Sequence, residues 1–115
     1  MHIVNTKNSE HYNWGNKCDG WHLLKNDNLS VIQEKVPPGC FEVKHYHNFA
    51  HQFFYVIKGT ATIEIDNEIF SLYSFEGIEV KPGQIHQLRN ETMDDLEFIV
   101  VSSPKSHGDK VIVEN

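Results

Sequence analysis

Glycine and proline punctuate this chain so often that a long helix has nowhere to form. Gly15, Gly20, Pro37-Pro38-Gly39, Gly59, Gly77, Pro82-Gly83, Pro104 and Gly108 cut it into pieces mostly of four to nine residues. Proline removes an amide donor and glycine loses the most backbone entropy, so each break is costly inside a helix. No run of a dozen residues places apolar side chains at i, i+3, i+4 and i+7 without such a break, and an amphipathic helix needs that pattern. What remains are strand-length segments rich in β-branched and aromatic residues.

Several of them read as strands. In "LSVIQEKV" (29–36) Gln33 and Lys35 face away from Glu34 and Val36. "QFFYVIK" (52–58) is apolar on both faces, the pattern of a central strand buried on both sides. "TATIEI" (60–65) alternates, with Ala61, Ile63 and Ile65 on one face. Asp66-Asn67 then forms a tight hairpin turn into "EIFSL". "IHQLRN" (85–90), "LEFIVVSS" (96–103) and "KVIVE" (110–114) complete the set. Many short strands separated by turn residues predict an all-β sandwich or barrel. With 115 residues and no linker or repeat, one domain over 1–115 is expected.

Charge narrows the partners. The net charge is −6 with histidine neutral, and lysine and arginine form no cluster. Phosphate backbones and anionic membranes are therefore poor partners, and a small molecule is the expected ligand. The longest apolar run, "FFYVI" (53–57), is too short to cross a bilayer. The N-terminus shows no basic segment followed by an apolar one, so a cytoplasmic location is expected. Cys18 and Cys40 are then expected to be free thiols.

Histidine is concentrated in "HYHNFAHQ" (45–52). On a strand, His45 and His47 point to one face, so two imidazoles can reach one metal ion above it. By the same alternation Phe41 and Val43 share that face, and Cys40 and Glu42 face away. His86 follows the Pro82-Gly83 turn at the start of a strand, well placed to supply a third ligand. His51 faces opposite to Gln52 and is expected to point outward. His2, His11, His22 and His107 read as solvated or locally satisfied, and Glu64, Asp66, Glu68, Glu76 and Glu79 as a solvated acidic face. Phe53, Phe54 and Tyr55 suit a core or a dimer interface better than a substrate site.

Together these residues resemble a known family. "Gly39-x5-His45-x-His47-x4-Gln52-x6-Gly59" resembles the first motif of the cupin superfamily, G-x5-H-x-H-x3-4-E-x6-G. "Gly77-x4-Pro82-Gly83-x2-His86-x3-Asn90" resembles the second, one residue shorter between Gly77 and Pro82 than the usual form. The motifs, at 39–59 and 77–90, span close to half the chain, with the short separation of small single-domain bacterial cupins. The resemblance implies a cupin-type jelly-roll β-barrel of two antiparallel sheets, often a homodimer, with a divalent metal in the barrel mouth. Carried over, His45, His47 and His86 match the histidine ligands, and Gln52 stands where a glutamate is usual.

That exchange changes the chemistry. Four neutral ligands leave a divalent ion its full +2 charge, which acidifies bound water more and attracts anions more strongly. A nitrogen-rich, less anionic site favours Fe, Ni, Zn or Cu over Mn. The expected function is a metal-dependent enzyme of dioxygenase or isomerase type, acting on a small anionic or oxygen-rich metabolite. A non-catalytic ligand- or metal-binding module is the alternative. Nearness in sequence makes His51, Tyr46 and Tyr55 the candidates for groups around the metal.

Overall fold

A computed structural model describes residues 2–113, which form eleven strands and no helix among the described residues. They are β1 (Glu10–Trp14), β2 (Cys18–Lys25), β3 (Ser30–Val36), β4 (His45–His47), β5 (His51–Lys58), β6 (Ala61–Ile65), β7 (Glu68–Leu72), β8 (Gly77–Val80), β9 (His86–Arg89), β10 (Leu96–Ser103) and β11 (Lys110–Ile112). One sheet has the order β1-β2-β3-β10-β5-β8, the other β11-β4-β9-β6-β7. Every pairing is antiparallel. This is a jelly-roll-like fold in which two sheets face each other across one interior. No helix is long and apolar enough to cross a membrane.

The core lies between the sheets. Val36, Val56 and Phe98 of the larger sheet meet Ala61, Ile63 and Leu88 of the smaller one, all 1% exposed or less. The alternation of "TATIEI" holds throughout: Ala61, Ile63 and Ile65 are buried and the residues between them are not. The Asp66-Asn67 turn pairs Ile65 with Glu68 directly, and both turn residues take positive φ, 49° and 70°. Two central residues in the left-handed region are what a tight hairpin requires, and Asp and Asn tolerate it best after glycine. Gly59, at φ 85°, lies so close to the β10 entry that a Cβ would stand 2.6 Å from the Asp95 carbonyl oxygen.

The N-terminal strands β1 and β2 had no clear signal, because "EHYNW" and "CDGWHLLK" are polar or irregular. They extend the larger sheet of the same chain through β3. Cys18 and Cys40 are both free and buried.

Two expectations are corrected. β5 is not buried on both faces: Gln52, Phe54 and Val56 point inward, while Phe53 and Tyr55 are 45% and 38% exposed. The sheet meets its partner sheet on one side only, so alternate residues face out even when apolar. Phe41 and Val43 do not share the inner face of His45: they are 50% and 45% exposed, and Cys40 is buried. Between the isolated Phe41–Arg89 bridge and β4 the chain leaves the ladder. The alternation slips by one residue there, so that Glu42 and His45, three apart, both reach the interior cavity.

Asn90, 1% exposed, ties the loops together. Its amide donates to the Val36 and Asp94 carbonyls, both at 2.8 Å, and its carbonyl accepts from the Thr92 amide. Removing the side chain leaves buried carbonyls without donors. Asn90→Ala is expected to lower stability by about 2–3 kcal/mol, measured by urea denaturation; a loss below 0.5 kcal/mol contradicts this role.

Candidate metal centre

β4 and β9 pair antiparallel with His45 directly opposite His86. His47, two residues further along β4, falls on the same inward face. The ring centroids of His45 and His86 lie 4.3 Å apart, those of His45 and His47 5.0 Å, and those of His47 and His86 5.8 Å. One ring nitrogen from each lies within 4.8 Å of the other two. The exposures are 4%, 5% and 1%.

Backbone carbonyls set two of the tautomers. His45 Nδ1 donates to the Val43 carbonyl at 2.7 Å, and His86 Nδ1 to the Gln84 carbonyl at 2.9 Å. Each Nε2 is left with its lone pair, the form a metal needs. Burial opposes a positive charge on the rings, and they oppose it in one another. Burial first, then His86, pushes His45 down to about 3 and His47 down to about 4. Burial also lowers His86. Three neutral imidazoles with converging lone pairs suit a soft or borderline divalent cation.

The orphaned atoms point the same way. His47 Nδ1, His86 Nε2 and Gln52 Oε1 are buried and have no hydrogen-bond partner. Buried polar atoms normally have one, so the site is built for something that supplies it. Gln52 on β5, 6% exposed, stands opposite Ser102 of β10, and its Nε2 is 3.1 Å from the Ser102 hydroxyl. Holding the amide nitrogen there leaves the amide oxygen as the free donor. The residues present therefore fit a divalent metal held by three nitrogens, with one neutral oxygen beside them.

His45, His47 and Gln52 open onto a cavity of about 350 Å³. Tyr12, Trp14, Glu34, Glu42, His107 and Lys110 also line it. The Tyr12 hydroxyl donates to Glu34 Oε2 at 3.2 Å, and the Leu88 amide donates to Glu42 Oε1 at 3.0 Å. Burial, and then the charge of Glu42, pushes Glu34 up to about 8, against the hydrogen bond from Tyr12. Burial pushes Glu42 up to about 7, against the Leu88 amide. Burial and Glu34 together raise the Tyr12 phenol well above its ordinary range.

Several site expectations are corrected. His51 points outward, as its alternation with Gln52 predicts, its side chain 61% exposed and 3.6 Å from Glu79, so it is not one of the groups around the histidine cluster. Tyr46 and Tyr55 do not line the cavity; they alternate with its lining residues on β4 and β5 and so face the other way. His107 is not an incidental surface group, because it reaches the cavity mouth 5.6 Å from the Tyr12 ring. Glu64 is not part of a solvated acidic face: Lys44 at 3.0 Å and Arg89 at 3.1 Å hold it. Glu42, expected to face away, faces in because of the slip before β4. Glu34 had a usable signal, since it shares an alternation face with Ile32 and Val36, where a carboxylate is out of place.

Comparisons with known proteins agree with this fold. The family model described as "Cupin domain" matches residues 32–102. The chain belongs to the cupin family. Among curated relatives of this cupin, an uncharacterized protein of Methanocaldococcus jannaschii is 27% identical over 94 residues, 81% of this chain and 75% of that one. A mannose-1-phosphate guanylyltransferase of Salmonella montevideo is 32% identical over 100 residues, 87% of this chain but 21% of that protein. The polyketide synthase CurC of Streptomyces cyaneus is 28% identical over 67 residues, 58% of this chain and 44% of its own length. The cupin thus spans less than half of these last two.

Solved structures share the fold. An RmlC-like cupin from Shewanella frigidimarina superposes with TM-score 0.82 at 21% identity, covering 91% of this chain and 92% of that one. The polyketide cyclase RemF from Streptomyces resistomycificus gives 0.84 at 16%, covering 100% and 87%. Pac13, a nucleoside dehydratase from Streptomyces, gives 0.80 at 18%, covering 99% and 92%.

The cavity carboxyls have a pH signature. A carboxyl whose pKa is raised by folding contributes stability that is present below its unfolded pKa and lost as pH rises through its folded one. In chelator-treated protein, wild type should therefore lose stability relative to Glu34→Gln between about pH 5 and pH 9. At about 1.4 kcal/mol per pKa unit, discounted because the cavity admits water, the relative loss is on the order of 2 kcal/mol. Urea denaturation at the two pH values measures it, and parallel curves for the two proteins contradict it.

Proposed function

We propose that this cupin binds one divalent transition metal through His45, His47 and His86, with Gln52 Oε1 as a fourth donor, and acts as an enzyme on a small oxygen-rich molecule. The observation that carries this reading is the convergence of three buried, neutral imidazoles. The unpartnered Gln52 oxygen beside the same cavity supports it. Bound there, a divalent ion supplies Lewis acidity, with positions left open for substrate or water. The all-neutral donor set favours Fe, Ni, Zn or Cu over Mn.

The chain's own residues do the rest. The Val43 and Gln84 carbonyls orient two imidazoles, Ser102 orients the amide, and the apolar barrel excludes bulk water behind them. Glu34 and Glu42 in the cavity favour a hydroxyl- or carbonyl-bearing molecule over a strongly anionic one. The cavity, of about 350 Å³, suits a small metabolite. Structural neighbours described as a polyketide cyclase, a nucleoside dehydratase and a predicted oxalate decarboxylase make enzymatic use of such a barrel the better reading.

We further propose a cytoplasmic homodimer. Two buried free thiols suit a reducing compartment. The outer face of β5 offers an apolar surface for a second copy: Phe53 and Tyr55 stack at 6.4 Å, with Phe75 also exposed. Light scattering during size exclusion is expected to give twice the chain mass, and a monomer refutes the dimer.

Metal content tests the central proposal. Metal-replete wild type should hold about one ion per chain by elemental analysis. His45→Ala, His47→Ala and His86→Ala should each lose at least about 100-fold in affinity by titration calorimetry. Gln52→Glu, which adds a negative charge, should bind about tenfold more tightly, or about 1.4 kcal/mol. Equal metal content in wild type and His45→Ala sinks the assignment.

A further inference from the structure

Three strands bring a phenol and a carboxyl together by leaving one side chain out. Tyr12 on β1 stands opposite Gly20 on β2, and Gly20 stands opposite Glu34 on β3. A Cβ at Gly20 would lie 2.6 Å from the Tyr12 hydroxyl and closer still to its ring. The bare glycine thus lets the phenol lie across β2 and donate to Glu34 at 3.2 Å. On its other side Glu34 pairs with Phe98 of β10, which brings no charge. Among the described residues, no lysine, arginine or histidine lies within ion-pair distance of Glu34 or Glu42.

An acidic pair alone marks no site, but a second observation lies in the same cavity. The Gln52 side chain, 6% exposed, presents an amide oxygen with no partner. Tyr12 and Glu34 come from the larger sheet and His45 and His47 from the smaller, so one small molecule in the cavity meets both sets. The histidines and Gln52 suit an oxygen of that molecule. Glu34 and Tyr12 then face its carbon skeleton.

We propose that Glu34 is the acid–base residue of this cupin, held in place by Tyr12 over Gly20, and that it moves a proton at a carbon next to a carbonyl of the substrate. This rests on the reading of the histidine cluster as a substrate-binding metal site. In the step, the Glu34 carboxylate takes the C–H proton. The electron pair of that bond becomes the C=C bond of an enolate, with the negative charge on the former carbonyl oxygen. Glu34, now a carboxylic acid, returns this proton, or one exchanged with water, to the same or the adjoining carbon. Nothing is oxidised or reduced, and the outcome is exchange, epimerisation or isomerisation.

The pairing has a direct consequence for pH. Glu34 works as a carboxylate, so the rate rises as it deprotonates. Burial, with the nearby charge of Glu42, holds that transition well above the ordinary carboxyl range, and the Tyr12 hydroxyl draws it back down. Lys110 acts in the same direction as Tyr12. His45, His47 and His107 also face the cavity and share its charge balance.

The test uses zinc-loaded full-length protein in D₂O, with dihydroxyacetone, glyceraldehyde, pyruvate and acetoacetate as probes, and reads loss of the C–H signals by proton NMR. Wild type should exchange at least one probe faster than zinc alone. Glu34→Gln should be at least about 100-fold slower, with zinc content and the far-ultraviolet circular dichroism spectrum kept, and Glu34→Asp should recover part of the rate. Tyr12→Phe should keep exchanging but with its rising limb moved to higher pH. Gly20→Ala should shift it the same way, and the double variant should shift it no further. Full zinc content without exchange of any probe, or equal rates in wild type and Glu34→Gln, overturns the proposal and leaves the metal reading standing. An unshifted limb in Tyr12→Phe removes Tyr12 from it. Absence of zinc from wild type instead refutes the metal reading on which it rests.

Discussion

The pairing of His45 with His86 across two antiparallel strands is the contact on which this barrel's chemistry depends. It places two imidazoles 4.3 Å apart, centre to centre, in an interior that water barely reaches, and strand alternation adds His47 beside them. Protonating any one ring would put a positive charge in that buried space next to the other two. The rings therefore stay neutral, and their lone pairs stay available. Carbonyls at Val43 and Gln84 complete the arrangement by taking the Nδ1 protons. A reader of the fold alone sees a common jelly roll; the functional content is this local clustering of bases where charge is costly.

The rest of the cavity answers that cluster, with Gln52 and Glu34 on the facing sheet and Glu42 just before β4. Gln52 presents a neutral oxygen to the cluster, and Ser102 fixes which end of the amide is free. Glu34 and Glu42 bring carboxyl groups into the same low-dielectric space, where burial resists their ionisation and the charge of Glu42 adds to that resistance at Glu34. The barrel thus holds bases that resist protonation near acids that resist losing a proton. Groups whose environments push them apart in this way are suited to dividing the work of binding and proton transfer.

Much of this was legible in the sequence where the alternation ran unbroken. His45 and His47 on one face and the inward set Ala61, Ile63 and Ile65 followed from a period of two, and the Asp66-Asn67 turn from the turn preference of its two residues. The reading failed where the period slipped. The alternation slips between Phe41 and His45, and Glu42 turned inward while Val43 stayed exposed. It failed also on β5, because apolar residues on an outer face look the same in sequence as residues buried between layers. Tyr12 was not found at all. Its role depends on Gly20 and Glu34 standing in register on two further strands, and no local pattern encodes that.

The sequence by itself determined the all-β fold, through glycine and proline breaks that no long helix survives, and the two motifs that mark a cupin. It also determined which residue types were available: three histidines at ligand spacing, and a glutamine in place of an acid. Tertiary structure alone decided which of them meet. Strand register between distant segments brought His86 to His45, Ser102 to Gln52 and Tyr12 across Gly20 to Glu34. Register is set by the packing of whole sheets, and a one-residue slip reverses a side chain's face. Chemistry that depends on contacts between strands far apart in the chain is therefore decided in three dimensions.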